Sequence, residues 1–176
     1  MTSFMIDEAV NKQTSQRWLA DDNCPFCGII TSKQSAFKVF ETDMVIAFLD
    51  ILPIRAGHTL VVPKIHCPNL SDLPPDYSRA VGEALSTVAS AITKGSTIST
   101  QHNDLNVVCN QGYGQAVPHV HFHIVPAPRV GDVAVQPKGT TGPMDHQSMV
   151  RSEYDRREEL DDNAGKDMAD RIKSKL

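Results

Sequence analysis

The chain has 176 residues, 40% of them apolar and 22% charged, and 17 basic against 21 acidic side chains leave a formal charge of −4. That length gives one domain with its own apolar core plus appendages, and is short for two ordinary domains. The acidic balance excludes a protein that holds nucleic acid by neutralising many phosphates, because that mode needs a surplus of Lys and Arg on one face; any phosphate it handles is small and local.

In chain order, residues 1–22 are polar with scattered apolar side chains such as Trp18 and Leu19. Asp7, Glu8, Lys12 and Arg17 interrupt any run that could serve as a signal peptide or membrane span. The expectation is a mobile extension on a soluble cytoplasmic protein, with the nucleus as a second compartment. Four cysteines follow, at Cys24, Cys27, Cys67 and Cys109. Without an export signal they read as metal ligands or buried thiols rather than a disulfide framework. Only Cys24-Pro25-Phe26-Cys27 has ligand spacing, and alone it fits zinc, redox chemistry or chance. Thioredoxin-like redox wants such a pair opening a helix in a βαβ setting, which the surrounding residues do not suggest. Cys67 and Cys109 read as small buried apolar side chains.

Three apolar segments, 37–40, 44–49 and 59–62, are broken by Glu41-Thr42-Asp43 and by residues 53–57, and read as strands of a meander. After Pro74-Pro75, the residues Tyr77, Val81, Leu85, Val88 and Ile92 recur at helical intervals, predicting one apolar stripe on a helix that stops near Gly95. Two more strands, 105–110 and 117–125, flank the turn-rich Gln111-Gly112-Tyr113-Gly114. The Pro and Gly density of 126–143 predicts a loop. Ala164, Met168, Ile172 and Leu176, behind Asp161 or Asp162 as N-cap, predict a short C-terminal helix with one apolar edge. The sum is an α+β domain, a mainly antiparallel sheet of about five strands with one long helix and a C-terminal helix. It divides into an extension (1–22), a domain (23–129) and a loop with a helical tail (130–176).

The segment His119-Val120-His121-Phe122-His123-Ile124-Val125 carries the chemistry. Side chains alternate along an extended chain, so the three imidazoles share one face while Val120, Phe122 and Ile124 take the other. Same-face neighbours stand about 7 Å apart, so the rings form a row whose members can hold different partners. Two other readings compete. Chance histidines on a half-buried strand would waste an apolar face, and His-x-His also suits a catalytic metal site.

The pattern His-φ-His-φ-His-φ-φ, with φ apolar, resembles the signature of the histidine triad family, in its phosphoramidase-like, zinc-containing microbial branch. Asn110, Gly112, Gly114-Gln115 and Val117 resemble the segment preceding that signature. Phe48-Leu49-Asp50-Ile51 and the run from Gly57-His58-Thr59 through Pro63-Lys64 to His66 resemble the family's earlier blocks, so the likeness covers residues 24–129. It implies the histidine triad fold and a hydrolase that cleaves the α-phosphate bond of nucleoside monophosphate conjugates, adenosine 5′-phosphoramidates or similar adenylates, releasing AMP or GMP. The implied nucleophile is His121. A neutral imidazole offers phosphorus a lone pair, its other nitrogen being held by a backbone carbonyl of the triad segment. A nucleotidyl-histidine would form and then yield to water.

The same resemblance puts His123 and His119 beside the nucleophile, His123 on the phosphate. It makes His58 a further catalytic group, against the alternative of a satisfied strand-end histidine. Gln115 and the amides around Gly114 become donors to phosphate and leaving-group oxygens. Asp50 takes the ribose hydroxyls, since an ionised carboxylate offers two acceptors to a cis-diol. Phe26, Ile29 and Ile51 sandwich the base, while Asn110 and Val117 complete the nucleotide contacts. Cys24, Cys27, His66 and His119 would form a closed structural Zn²⁺ site. Ala116 stands where many phosphoramidase-like members carry a hydroxyl residue. The implied partners are the small nucleotide and a second copy of the chain, paired through the helix and a sheet edge, with no nucleic acid and no membrane. Two alternatives are a dinucleoside polyphosphate hydrolase and a non-catalytic nucleotide-binding adaptor.

Overall fold

The computed structural model describes residues 20–95, 104–112, 114–127 and 157–176. Nearly all of the expected N-terminal extension and of the loop expected over 126–143 lies outside the described residues. Five strands, β1 (Lys38–Glu41), β2 (Val45–Leu49), β3 (Thr59–Pro63), β4 (Leu105–Cys109) and β5 (Phe122–Pro126), form one sheet in the order β1-β2-β3-β5-β4. Every neighbouring pair is antiparallel. Helix α1 (Pro25–Ile30) precedes the sheet, α2 (Pro75–Gly95) connects β3 to β4, and α3 (Asp162–Lys173) follows. This is the expected α+β architecture; no helix among the described residues is long and apolar enough to cross a membrane.

β2 and β3 are buried at every position because both faces of the sheet are covered. On one face Val45, Ala47, Leu49 and Val61 meet the stripe of α2, in which Val81, Ala84, Val88, Ala91 and Ile92 are buried. Tyr77 and Leu85, also expected on that stripe, pack partly buried against the same core. On the other face Ile46, Phe48, Leu60 and Val62 form a second core with Cys24, Phe26, Cys27 and Ile29 of the α1 region. Helix α1 was not legible as a helix: six residues are too few to show a period, and its stability comes from burying Phe26, Cys27 and Ile29.

The C-terminal helix is capped by Asp161, whose side chain accepts from the amides of Asn163 and Ala164. Its apolar edge differs from the expected one. Gly165, Ala169 and Ile172 are buried, Met168 packs partly against the core, and Ala164 and Leu176 are exposed. A strict four-residue spacing drifts about 40° per step on a helix of 3.6 residues per turn, so the ends of such a series rotate off the contact face. Glycine permits close docking: a Cβ on Gly165 would lie 2.6 Å from the Phe37 ring, and one on Gly95 would lie 2.9 Å from the Arg171 carbonyl oxygen.

The strand expected over 117–125 is shorter than its sequence suggests, since β5 begins at Phe122. Phe122 is paired with Val61, the middle residue of β3. Before it the chain leaves the ladder, and the Val120 amide donates to the Cys67 carbonyl at 2.7 Å. His119 and His121 therefore precede the paired strand, and only His123 lies within it.

Candidate functional site

Side-chain alternation survives where the ladder does not. Val120 and Ile124 are buried in the α2-side core and Phe122 packs against it, while His119, His121 and His123 face the other way, towards α1 and the loop before β3. There each ring has a different partner. His121 Nδ1 lies 2.6 Å from the His119 carbonyl oxygen. A carbonyl only accepts, so Nδ1 carries the proton and donates it, leaving the lone pair on Nε2. Phe26 and His123 meet the His121 ring edge-on, with centroids 5.1 and 4.9 Å away. The ring is thus held by a hydrogen bond on one nitrogen and by aromatic edges on its sides.

His123 is tied to His58, His58 Nε2 being 3.0 Å from His123 Nδ1. The direction of that bond follows from the far side of His58, where Nδ1 accepts from the Ile54 amide at 3.1 Å. Nε2 of His58 therefore bears the hydrogen and donates to His123, whose own proton must sit on Nε2. Asp50 Oδ2 stands 3.5 Å from His58 Nδ1, beyond hydrogen-bond length. Burial pushes the His58 imidazole below its ordinary range, with Arg157 and Arg55 adding to the effect against Asp50. Burial, then His121, His58 and Arg157, hold His123 down to about 4. Both rings are neutral at neutral pH, and the relay ends in an N–H donor beside His121.

His119 closes a separate group. Its Nδ1 lies 3.5 Å from Cys24 Sγ and 3.7 Å from Cys27 Sγ, and His66 Nδ1 lies 3.3 Å from Cys27 Sγ. The ligand atoms of Cys24, Cys27, His66 and His119 all fall within 4.8 Å of one another, a cluster that can hold a metal ion. The far nitrogen of His119 donates to the Pro63 carbonyl at 2.9 Å, which fixes the tautomer and turns the Nδ1 lone pair inward. Without a cation the Cys27 thiol is a poor anion, since burial pushes it up. Cys24 is the N-cap of α1, so the pair does open a helix, but in a sheet whose strands are all antiparallel and not in a βαβ unit. Asp50, His58 and His123 are also close enough to share an ion, but the hydrogen bonds just described occupy both nitrogens of His58 and one of His123.

The remaining sequence-selected residues divide. Phe26, Ile29 and Val117 lie together in or against the second core. Ile51 is not in that cluster; it is 62% exposed and its carbonyl accepts from the Leu160 amide at 2.9 Å. Asp50 Oδ1 accepts from the Leu52 amide at 2.9 Å, which leaves Oδ2 turned to the His58 side. Asn110 sits beside Gly114, whose positive φ of 71° suits glycine. Gln115 accepts from the Gly112 amide at 2.9 Å and donates to the Pro68 carbonyl at 2.8 Å. One Nε2 hydrogen of Gln115 remains beyond those two bonds. Sequence reasoning missed Arg55 and Arg157. The first lay in a Pro-broken stretch, and the second in the charged run Arg157-Glu158-Glu159, which resembles any solvated surface.

Residues 31–130 match the HIT domain family. The chain is 35% identical over 107 residues to an adenylylsulfatase of Arabidopsis thaliana, covering 60% of this chain and 52% of that protein. It is 39% identical over 108 residues to an adenosine 5′-monophosphoramidase of Saccharomyces cerevisiae, covering 60% and 63%. The chain thus spans about half to two thirds of the length of those two relatives. Among solved structures, a zinc-bound histidine triad family protein from Mycobacterium smegmatis superposes with a TM-score of 0.60 at 26% identity, over 86% of this chain and 94% of that one.

Proposed function

Because this chain belongs to the HIT family, we propose that it is a nucleotide hydrolase in which His121 attacks the α-phosphorus of an adenylate or similar nucleoside monophosphate conjugate. The observation that carries this reading is the 2.6 Å bond from His121 Nδ1 to the His119 carbonyl oxygen, which leaves Nε2 as a nucleophile without a separate base. The N–P bond forms as the bond to the leaving group breaks; water then adds to phosphorus and His121 departs. His123 Nε2–H, aligned through His58, donates to a phosphoryl oxygen as negative charge builds there. Asp50 Oδ2 accepts from the ribose hydroxyls. Phe26, Ile29 and Ile51 flank the base. Asn110, Gly114, Val117 and the free hydrogen of Gln115 complete the contacts. Both named relatives act on adenylates, and the Ala116 methyl offers no proton to a leaving amine, which favours leaving groups that depart as anions.

The metal cluster fits zinc. A tetrahedral zinc with Zn–S of about 2.3 Å and Zn–N of about 2.0 Å has sulfur-to-nitrogen edges of about 3.5 Å; three of the four such edges here are 3.3, 3.5 and 3.7 Å. Cys24, Cys27, His66 and His119 would hold it in a closed site, where it supplies cross-linking and no open coordination position. The exposed flank of β4, with Val107 and Val108 47% and 44% exposed at the free edge of the sheet, supports a homodimer that covers it. Sedimentation equilibrium is expected to give twice the chain mass; a monomer at micromolar concentration would remove that part of the reading.

The reaction is tested by steady-state turnover of an adenosine 5′-phosphoramidate, adenylyl sulfate and a diadenosine polyphosphate. The expectation is measurable hydrolysis of the first two with AMP as product. Preference for the diadenosine compound would assign the chain to dinucleoside polyphosphates. AMP binding without any turnover would make it an adaptor.

A further inference from the structure

The turn that carries Gly112, Gly114 and Gln115 starts beside the nucleophile. β4 ends at Cys109, which is paired with Phe122; one step further along that register Asn110 stands opposite His121, and the turn follows. Gly112 and Gly114 both take left-handed φ values, 69° and 71°, so the backbone itself restrains this turn little. Packing does not make up for it. A Cβ on Gly112 would meet nothing within 4 Å, and one on Gly114 would have the Asn110 side chain as its nearest neighbour, 3.7 Å away.

Hydrogen bonds therefore place the turn, and both of its ends are bonded to one short strip, residues 68–71. At the far end the Gln115 side chain, which accepts from the Gly112 amide at 2.9 Å, donates to the Pro68 carbonyl at 2.8 Å. At the near end Gln111 makes two bonds to a single residue: its Oε1 accepts from the Ser71 amide at 3.1 Å and its Nε2 donates to Ser71 Oγ at 3.3 Å. Ser71 lies in the 3-10 helix Leu70–Asp72, whose N-cap residue Asn69 makes no capping bond with its side chain. Gln111 supplies the acceptor instead, from another part of the chain. The strip is itself firmly held. It follows the fully buried Cys67, whose carbonyl takes the Val120 amide at 2.7 Å and whose thiol donates to the Asn69 carbonyl at 3.2 Å. Residues 67–71 are thus bonded to the histidine segment on one side and to both ends of the turn on the other.

We propose that Gln111 is a positioning residue: latched to Ser71, it holds the turn so that the Gln115 side chain and the Gly114 amide meet the phosphate of a nucleotide at His121. It acts without touching that nucleotide. Gln111 and Ser71 are both exposed, so water competes for their bonds and the pair adds little to stability. What the latch fixes is where the donors stand, and a displacement of about 1 Å is enough to cost rate. The inference rests on the reading of the His121 face as a nucleotide site.

The test uses the full chain and the variants Gln111→Ala, Ser71→Ala and the two combined. The first quantity is the ratio of the affinity for AMP to that for adenosine, read by calorimetric titration without turnover. Gln111→Ala is expected to lower this ratio by about fivefold or more through loss of AMP affinity alone, with a melting temperature within about 2 °C of the parent. A merely structural role would weaken both ligands together and lower the melting temperature, and that result overturns the proposal. So does an unchanged ratio. The second quantity is kcat/KM for an adenosine 5′-phosphoramidate, expected to fall about tenfold in Gln111→Ala and less in Ser71→Ala, which keeps the amide half of the latch. The double variant should lose no more than Gln111→Ala; losses that multiply would mean that Gln111 meets the substrate itself, against the proposal. A parent that binds AMP and hydrolyses nothing refutes the hydrolase reading, and the affinity ratio then decides the role of Gln111 alone. A parent that does not bind AMP overturns both.

Discussion

Replacing His121 by Asn is expected to lower turnover of an adenylate substrate by about 10⁴-fold or more, the scale seen when a covalent nucleophile is removed from an enzyme whose other groups remain. The substitution is chosen for what it keeps. The Asn amide can still donate to the His119 carbonyl, which His121 Nδ1 meets at 2.6 Å, but it offers no lone pair on nitrogen to phosphorus. Loss of rate in that variant therefore isolates nucleophilicity from packing against Phe26 and His123. Acid quench of the parent during turnover, followed by intact mass spectrometry, should show one added mononucleotide, absent from His121→Asn. A variant within tenfold of the parent rate would mean that water attacks directly and that His121 only orients the substrate. A melting temperature for the variant guards against simple unfolding.

The second large effect is on stability. Cys27→Ala should lose bound zinc and lower the melting temperature by about 10 °C. That fall corresponds to about 2.5–5 kcal/mol at roughly 2–4 °C per kcal/mol for a domain of this size. The structural reason is what the ion would join. Cys24 and Cys27 are at the start of α1, His66 follows β3 and His119 begins the triad segment, three stretches far apart in sequence. A closed cross-link among them adds its binding free energy to folding. Chelation of the parent should give the same fall, reversed by added zinc and by no other treatment. Elemental analysis of the purified chain should find one zinc per chain. A chain that melts at the same temperature with and without chelator would show the four donors to be a hydrogen-bonded group and nothing more. Residual activity of Cys27→Ala at low temperature is informative too, because His119 supplies the carbonyl that orients His121.

How much was legible depended on the physical origin of each feature. The strands around Val45–Leu49 and Thr59–Pro63 and the helix Pro75–Gly95 were readable because burial dictates their residues one by one. The facing of the three histidines was readable for the same reason, since alternation is a property of extended backbone and holds even where no ladder forms. The start of β5 at Phe122 was not readable, because it depends on the distant Cys67 carbonyl that claims the Val120 amide. The same limit hid α1, which is too short to announce itself, and displaced the buried stripe of α3 from Ala164 and Leu176 to Gly165 and Ala169.

The sequence by itself determined which side chains the candidate site is built from: three imidazoles at alternate positions, a Cys-x-x-Cys and His58. Types and spacings are local facts, and they fix which side chains share a face. Tertiary structure decided what each ring does. His119 meets thiols from α1, His121 turns its proton to a carbonyl two residues back, and His123 takes a hydrogen from His58, 65 residues away. Protonation state and charge balance are set by whatever the fold places within a few ångströms, and no local pattern in the chain encodes that neighbourhood.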